Sequence, residues 1–210
     1  MFIDGPFIEK NYKQFFAMPE RFEPKHLHEA CYDLRVGSEV FLSEGRVPNR
    51  LTEENPYLVL PPGQFALVQT YEQISVPNNY VALISIRSQF KFQGLVNISG
   101  FHVDPTYKGH LIFAVQNVGP NDIRLKFKDP TFMIMWAELK SPYGGEPRKQ
   151  GYECIPMDLM AQLGGPNVTL VSLEKRVQEL SLSLKIYGGF AIAAFLAVLG
   201  LILRSIFKAG

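Results

Sequence analysis

From Ile186 to Leu203 eighteen consecutive residues carry no charge, with Lys185 before them and Arg204 and Lys208 after. As a helix this run is about 27 Å long, close to the ~30 Å hydrocarbon core of a bilayer. A helix packed on a sheet keeps one polar face, and this segment has none. It is therefore either a membrane span or a buried or oligomer-core helix, and its length predicts a span over 186–207. With the bulk of the chain before it, the expectation is a single-pass C-terminal anchor. The N-terminus lacks a basic stretch followed by an apolar run, which places the globular part in the cytoplasm as an expectation. Gly189, Ala193 and Ala197 recur every four residues, a spacing that suits close helix approach and also arises from the ordinary abundance of small residues in spans.

Just upstream, Leu170, Leu173, Val177, Leu180 and Leu184 alternate at three- and four-residue spacing, with Glu174, Lys175, Arg176, Gln178 and Glu179 on the other faces. Over 167–185 this reads as a coiled-coil stalk or as an amphipathic helix lying on its own domain. Gly164-Gly165-Pro166 breaks the chain before it, and Asn167 suits a helix cap. Residues 141–166 read as a linker. Asn167-Val168-Thr169 matches a glycosylation triplet, which a cytoplasmic location would leave inert.

The remainder has a different texture. Lys and Arg number 21 against 20 Asp and Glu, a net charge of +1, a near-balance that argues against a long nucleic-acid footprint but not against a small charged ligand such as a nucleotide. Cys31 and Cys154 belong to no CxxC pattern and no histidine cluster, so neither a disulfide scaffold nor a zinc site is expected. Phe7, Ile8, Tyr12, Phe15 and Phe16 predict a short helix within an N-terminal segment, 1–29. After residue 30 short apolar or alternating runs follow one another, among them 32–36, 39–42, 57–60, 65–70, 80–84, 95–98, 111–115, 123–127 and 132–136. Pro61-Pro62-Gly63, Pro77-Asn78-Asn79, Asn117-Val118-Gly119-Pro120 and Lys128-Asp129-Pro130 separate some of them. The spacing predicts an all-β barrel or jelly-roll-like domain over 30–140. No GxGxxG, GxxxxGK[ST], GxSxG or HExxH is present.

Four stretches, in order, carry a resemblance: Cys31-Tyr-Asp-Leu-Arg-Val-Gly37, Leu60-Pro-Pro-Gly-Gln-Phe-Ala-Leu67, Ile86-Arg-Ser-Gln-Phe-Lys-Phe-Gln-Gly-Leu95 and Gly100-Phe-His-Val-Asp-Pro-Thr-Tyr-Lys-Gly109, followed by Gln116-Asn-Val-Gly119. Together they resemble the dCTP deaminase / dUTP pyrophosphatase family, the deaminase branch most. The resemblance implies a dUTPase-like β-barrel, a distorted jelly roll, assembled as a homotrimer. It also implies deoxynucleoside triphosphate sites between subunits, with Mg²⁺ accompanying the phosphates. A trimer would supply three stalk helices to the heptad seam.

By that resemblance Arg87, Ser88 and Gln89 occupy the phosphate-binding motif, where a guanidinium matches phosphate oxygens and a hydroxyl can donate. Gly100, Asp104 and Tyr107 occupy the sugar-binding motif, with Asp104 the candidate catalytic carboxylate. Away from the family, Asp104-Pro105 also reads as a turn and Tyr107 as a half-buried barrel aromatic. His102 and His110 stand beside this motif. The deaminase glutamate, three residues before the Asn of Asn-x-Gly, is replaced by Ala114, which cannot carry a proton to or from a cytosine. The basic residue after the Arg-Ser motif is replaced by Phe92, and Lys91 beside it would face the opposite side of a strand. The glycine-rich closing arm of pyrophosphatases has only a faint counterpart in 141–145 and 148–152. Three functions stay open: a nucleotide-binding protein without standard deamination, a dUTP or dNTP pyrophosphatase using Asp104 and Mg²⁺, and a deaminase with altered groups.

Overall fold

In the computed structural model the described residues are 1–43, 45, 47–146, 151–163 and 170–208, without the side chains of 170–172 and 202–208. The chain divides into two units, 1–167 and 168–210.

The first unit opens with helix α1 (Gly5–Phe15), capped by the Asp4 carboxylate, which accepts from the Phe7 amide at 3.0 Å. Its apolar residues Ile8 and Phe15 are buried, and Phe15 and Phe16 pack on Trp136. Ten strands follow: β1 (Tyr32–Leu42), β2 (Asn49–Arg50), β3 (Tyr57–Leu60), β4 (Phe65–Ser75), β5 (Tyr80–Ile86), β6 (Leu95–Asn97), β7 (His102–Val103), β8 (Lys108–Asn117), β9 (Ile123–Lys126) and β10 (Pro130–Glu138). Helix α2 (Ser88–Phe92) lies between β5 and β6. The main sheet runs β6-β8-β4-β1-β10-β5-β7 with β2 on β1, and β3 pairs with β9 separately. All the pairings are antiparallel, and β6 at one end of the path comes back against β5. The result is a curled half-barrel whose core holds Tyr32, Leu34, Phe113, Phe132 and Trp136.

Alternation dictates which side chains enter that core. In β8, Leu111, Phe113 and Val115 point into it, while Ile112 and Ala114 belong to a second apolar cluster on the other face. Three readings change in detail. The runs 32–36 and 39–42 are one strand, because Val36 through Ser38 continue the backbone through a register shift rather than a turn. Strand β4 extends five residues past Thr70 for the same reason. Residues 88–92 form a helix, so the strand argument for Lys91 does not hold. Its ammonium donates to Ser85 Oγ at 2.8 Å instead.

Within the stretch read as a linker, residues 151–163 pack on the sheet. Tyr152 bridges to His110, and helix α3 (Met157–Leu163) lays Met160 with Ile155 against Phe41 and Leu67. Gly109, at φ +155°, and Gly151 face each other so closely that a Cβ on Gly109 would lie 2.7 Å from the Gly151 carbonyl carbon. Residues 147–150 and the break at 164–166 with Asn167 lie outside the described residues.

The second unit is one helix, α4 (Leu170–Lys208), of 39 residues, about 58 Å at ~1.5 Å per residue. Its stretch Leu173–Leu201 is long and apolar enough to cross a membrane. Leu173, Val177, Leu180 and Leu184 are exposed along one row of it.

Candidate functional site

Arg87 follows β5 directly, and Asp33 lies on β1; β10 runs between the two strands. Its Arg87-side end brings them together: the Arg87 amide donates to the Thr131 carbonyl at 2.9 Å, and Asp33 faces Met133. The Arg87 Nε lies 3.1 Å from Asp33 Oδ2, and the same carboxylate oxygen lies 2.9 Å from His28 Nε2. The Asp33 side chain is 5 % exposed and that of Arg87 is 31 %. Ser88 and Gln89 begin α2 on the surface beside this cluster. The arrangement is a fixed guanidinium with exposed hydroxyl and amide neighbours, suited to meeting an oxyanion. Sequence reasoning missed Asp33 and His28 as members; the Asp lies inside the quoted Cys31–Gly37 stretch, and its buried acid amid apolar residues was the available signal.

Gly100, Asp104 and Tyr107 come from the other side of β5. The Phe101 carbonyl accepts from the Ile84 amide at 2.8 Å, which carries exposed Gly100 toward the Arg87 end. Antiparallel pairing then sends the chain the other way, so Val103 faces Ala82. Asp104 and Tyr107 thus sit past the Ala82 level, whereas Arg87 is five residues beyond Ala82 in the opposite sense, roughly 16 Å away at ~3.3 Å per residue. Within one chain the two halves of the candidate site do not meet. Asp104 Oδ1 is 3.5 Å from His102 Nε2. Tyr107 is half-buried: its hydroxyl donates to the His110 carbonyl, its ring is capped by Gly151, and burial pushes its pKa up to about 12.

Ala114 lies on β8 opposite Leu67 of β4, in the apolar cluster that Ile155 and Met160 complete. Its amide is 3.3 Å from Ser99 Oγ. Glu39 reaches the edge of that cluster, where its Oε2 accepts from the Ile155 amide at 2.8 Å. Phe92 is 90 % exposed, and Phe101, Ile98 and Val118 are exposed near it around the β6 edge. Asn117 completes its turn structurally: Oδ1 accepts from the Gly119 amide at 2.9 Å, and Nδ2 donates to the Leu60 and Asn121 carbonyls.

For Mg²⁺, the Asp33 carboxylate beside Arg87 is already engaged by Arg87 and His28. Among the described residues no three His, Cys, Asp or Glu side chains converge as metal ligands. The residues do not fit a resident metal held by the protein alone.

These features can be set beside known proteins. A family model described as dCTP deaminase-like matches residues 2–128. The dCTP deaminase of Thermococcus sibiricus is 34 % identical over 130 residues, covering 60 % of this chain and 81 % of that protein. The dCTP deaminase of Pyrococcus horikoshii is 31 % identical over 123 residues, covering 59 % of this chain and 76 % of that protein. The crystal structure of 2′-deoxycytidine 5′-triphosphate deaminase from Agrobacterium tumefaciens superposes with a TM-score of 0.55 at 13 % identity, over 64 % of this chain and 48 % of that one. The last shows likeness of fold. The family match spans most of the strand-bearing unit and its motifs in order, and the chain belongs to the dCTP deaminase-like family.

Proposed function

We propose that this protein is a membrane-anchored member of the family that binds a deoxynucleoside triphosphate between copies of the chain and does not carry out standard deamination. The observation that carries the reading is Ala114: where the family resemblance puts a proton-carrying glutamate, a methyl group packs among Leu67, Ile155 and Met160. Deamination needs a group that takes a proton from water and returns one to the leaving amine, and the methyl group of Ala114 offers none.

Binding is supported by Arg87, held by Asp33 at 3.1 Å next to exposed Ser88 and Gln89. Mg²⁺ would arrive as part of the triphosphate, screening its charge. The separation of Arg87 from Asp104 and Tyr107 supports a site completed by a second copy, in keeping with the homotrimer that the family implies. The exposed Phe92, Ile98, Phe101 and Val118 on the β6 edge are the kind of apolar surface such assembly covers. The row Leu173, Val177, Leu180 and Leu184 supports helix association in the same assembly, and the apolar length of α4 supports an anchor. These readings keep the boundaries of the sequence: β domain 30–140, stalk 167–185, span 186–207. No nucleic-acid polymer is implied.

A pyrophosphatase is the second reading, favoured by the Asp104–His102 pair at 3.5 Å, a carboxylate and imidazole at a partly open position. Full-length protein in detergent, titrated with each dNTP and Mg²⁺ while ammonia and pyrophosphate are measured, separates the cases. The proposed function expects thermal stabilisation without either product. Ammonia release overturns it. Pyrophosphate release that Asp104→Asn abolishes establishes the second reading instead.

A further inference from the structure

Strand β4 shifts register against β1 between Val36 and Val40, and against β8 between Gln69 and Gln73. The strands part there, and the 151–155 segment closes over the gap: Gln69 Nε2 donates to the Glu153 carbonyl at 2.8 Å, and the Ile155 amide donates to Glu39 Oε2 at 2.8 Å. What remains is a polar cavity of about 270 Å³, remote in the topology from Arg87, on the opposite face of β8 from the main core.

Its polar groups are unevenly used. His110, 7 % exposed, has Nδ1 2.7 Å from the Thr70 carbonyl oxygen. A carbonyl only accepts, so Nδ1 carries a proton, and in the neutral ring the lone pair is on Nε2. Burial lowers the His110 pKa, against the hydrogen bond to the Thr70 carbonyl. Arg50 lines the cavity from exposed β2 and makes no ion pair among the described residues. Arg21 spends one guanidinium nitrogen on the Tyr71 carbonyl and stacks 4.7 Å above the Tyr71 ring. Ser38 and Tyr71 also line it. Two acids, Glu39 and Glu153, also line it; Glu39 accepts from the Ile155 amide and stands opposite Arg50 in the β1–β2 register.

We propose that this cavity is a binding site for a small oxyanion that also carries a hydroxyl, with Arg50 and Arg21 meeting the negative charge and His110 Nε2 accepting the hydroxyl proton. Hydrogen phosphate and short hydroxy acids share that chemistry. The volume corresponds to roughly nine waters at ~30 Å³ each, room for a group of about ten non-hydrogen atoms. The site is separate from the nucleotide reading and survives its failure.

The test uses full-length protein in detergent, calorimetry with hydrogen phosphate, malate and succinate, and the imidazole ¹⁵N resonances of His110. Phosphate and malate are expected to bind and to shift His110 Nε2. Succinate, which lacks the hydroxyl, is expected to bind about tenfold more weakly, and Arg50→Ala to weaken both ligands by a similar factor. Arg50 is exposed, so this variant leaves the core intact. Binding that leaves the His110 resonances in place, equal affinity in Arg50→Ala, or no binding of phosphate and malate overturns the proposal; equal affinity for succinate and malate overturns the assignment of the hydroxyl to His110. Phosphate alone binding identifies the inorganic ion as the source, and malate binding more tightly identifies a hydroxy acid.

Discussion

Asp33 on β1 and Arg87 after β5 are joined across β10, with Nε and Oδ2 3.1 Å apart and His28 on the same oxygen at 2.9 Å. The acid is almost fully buried while the guanidinium keeps an open edge, so the pair holds a cation in place and leaves it a free side.

Replacing Arg87 by Ala removes the guanidinium from Asp33 and leaves the His28 contact in place. The partial exposure of Arg87 moderates the loss, and the expected destabilisation is about 1–2 kcal/mol in urea unfolding. Nucleotide affinity is expected to fall at least about tenfold in the same variant, since a charge-assisted contact to phosphate disappears. Unchanged affinity would remove Arg87 from the proposed site.

Ala114→Glu restores the acid that the family resemblance calls for, yet places it against Leu67, Ile155 and Met160. The expected result is a loss of about 1–3 kcal/mol with no ammonia released from dCTP. Ammonia release in this variant would show that the pocket still takes a cytosine, and that one side chain alone separates it from a working deaminase.

Glu72 is fully buried, accepting from the Arg35 amide at 2.9 Å and from Arg35 Nε at 2.6 Å. Burial pushes its carboxyl up to about 6, against the pull of Arg35. The folded chain therefore holds this proton more tightly than the unfolded chain. The associated stability is present in full below about pH 4.5 and is lost as pH rises through about 6, amounting to roughly 2 kcal/mol. Glu23, whose carboxyl Lys25 and Arg35 hold below the usual range, acts in the opposite sense, losing its contribution as pH falls through its lowered pKa. Denaturant melts across pH 4–7 are expected to show a downward slope that Glu72→Gln flattens. An equal slope in the variant would assign the effect elsewhere.

Phe195 stands near the middle of the apolar run of α4. Phe195→Arg puts a charge there at a cost of about 2.5–3.5 kcal/mol for insertion. Full-length protein is expected to resist alkaline extraction from membranes, and the variant to be released. Wild-type protein extracted as readily as the variant would rule out the anchor.

Much of the strand order was legible before any coordinates, because a period of two and Gly/Pro turn signals report strands directly. The runs 57–60, 80–84, 111–115 and 132–136 fall within observed strands, and 123–127 overruns its strand by Phe127 alone. The continuity of β1 through Gly37 was not, since a register shift has no periodic signature. Nor was α2, where Ser88–Phe92 is too short for a helical period to emerge. The packing of 151–163 depended on a second apolar cluster whose members, Phe41, Leu67, Ala114, Ile155 and Met160, are scattered along the chain.

The amino-acid order by itself determined the strand-rich character, the family motifs, the replacement of an acid by Ala114, and the length of the apolar helix, because each rests on identity or on short-range spacing. Only the tertiary structure decided that Asp33 and His28 hold Arg87, that Arg87 and Asp104 stand apart in one chain, and that His110 borders a polar cavity. Those relationships come from strand pairing across tens of residues, where sheet register rather than neighbouring sequence sets which side chains meet.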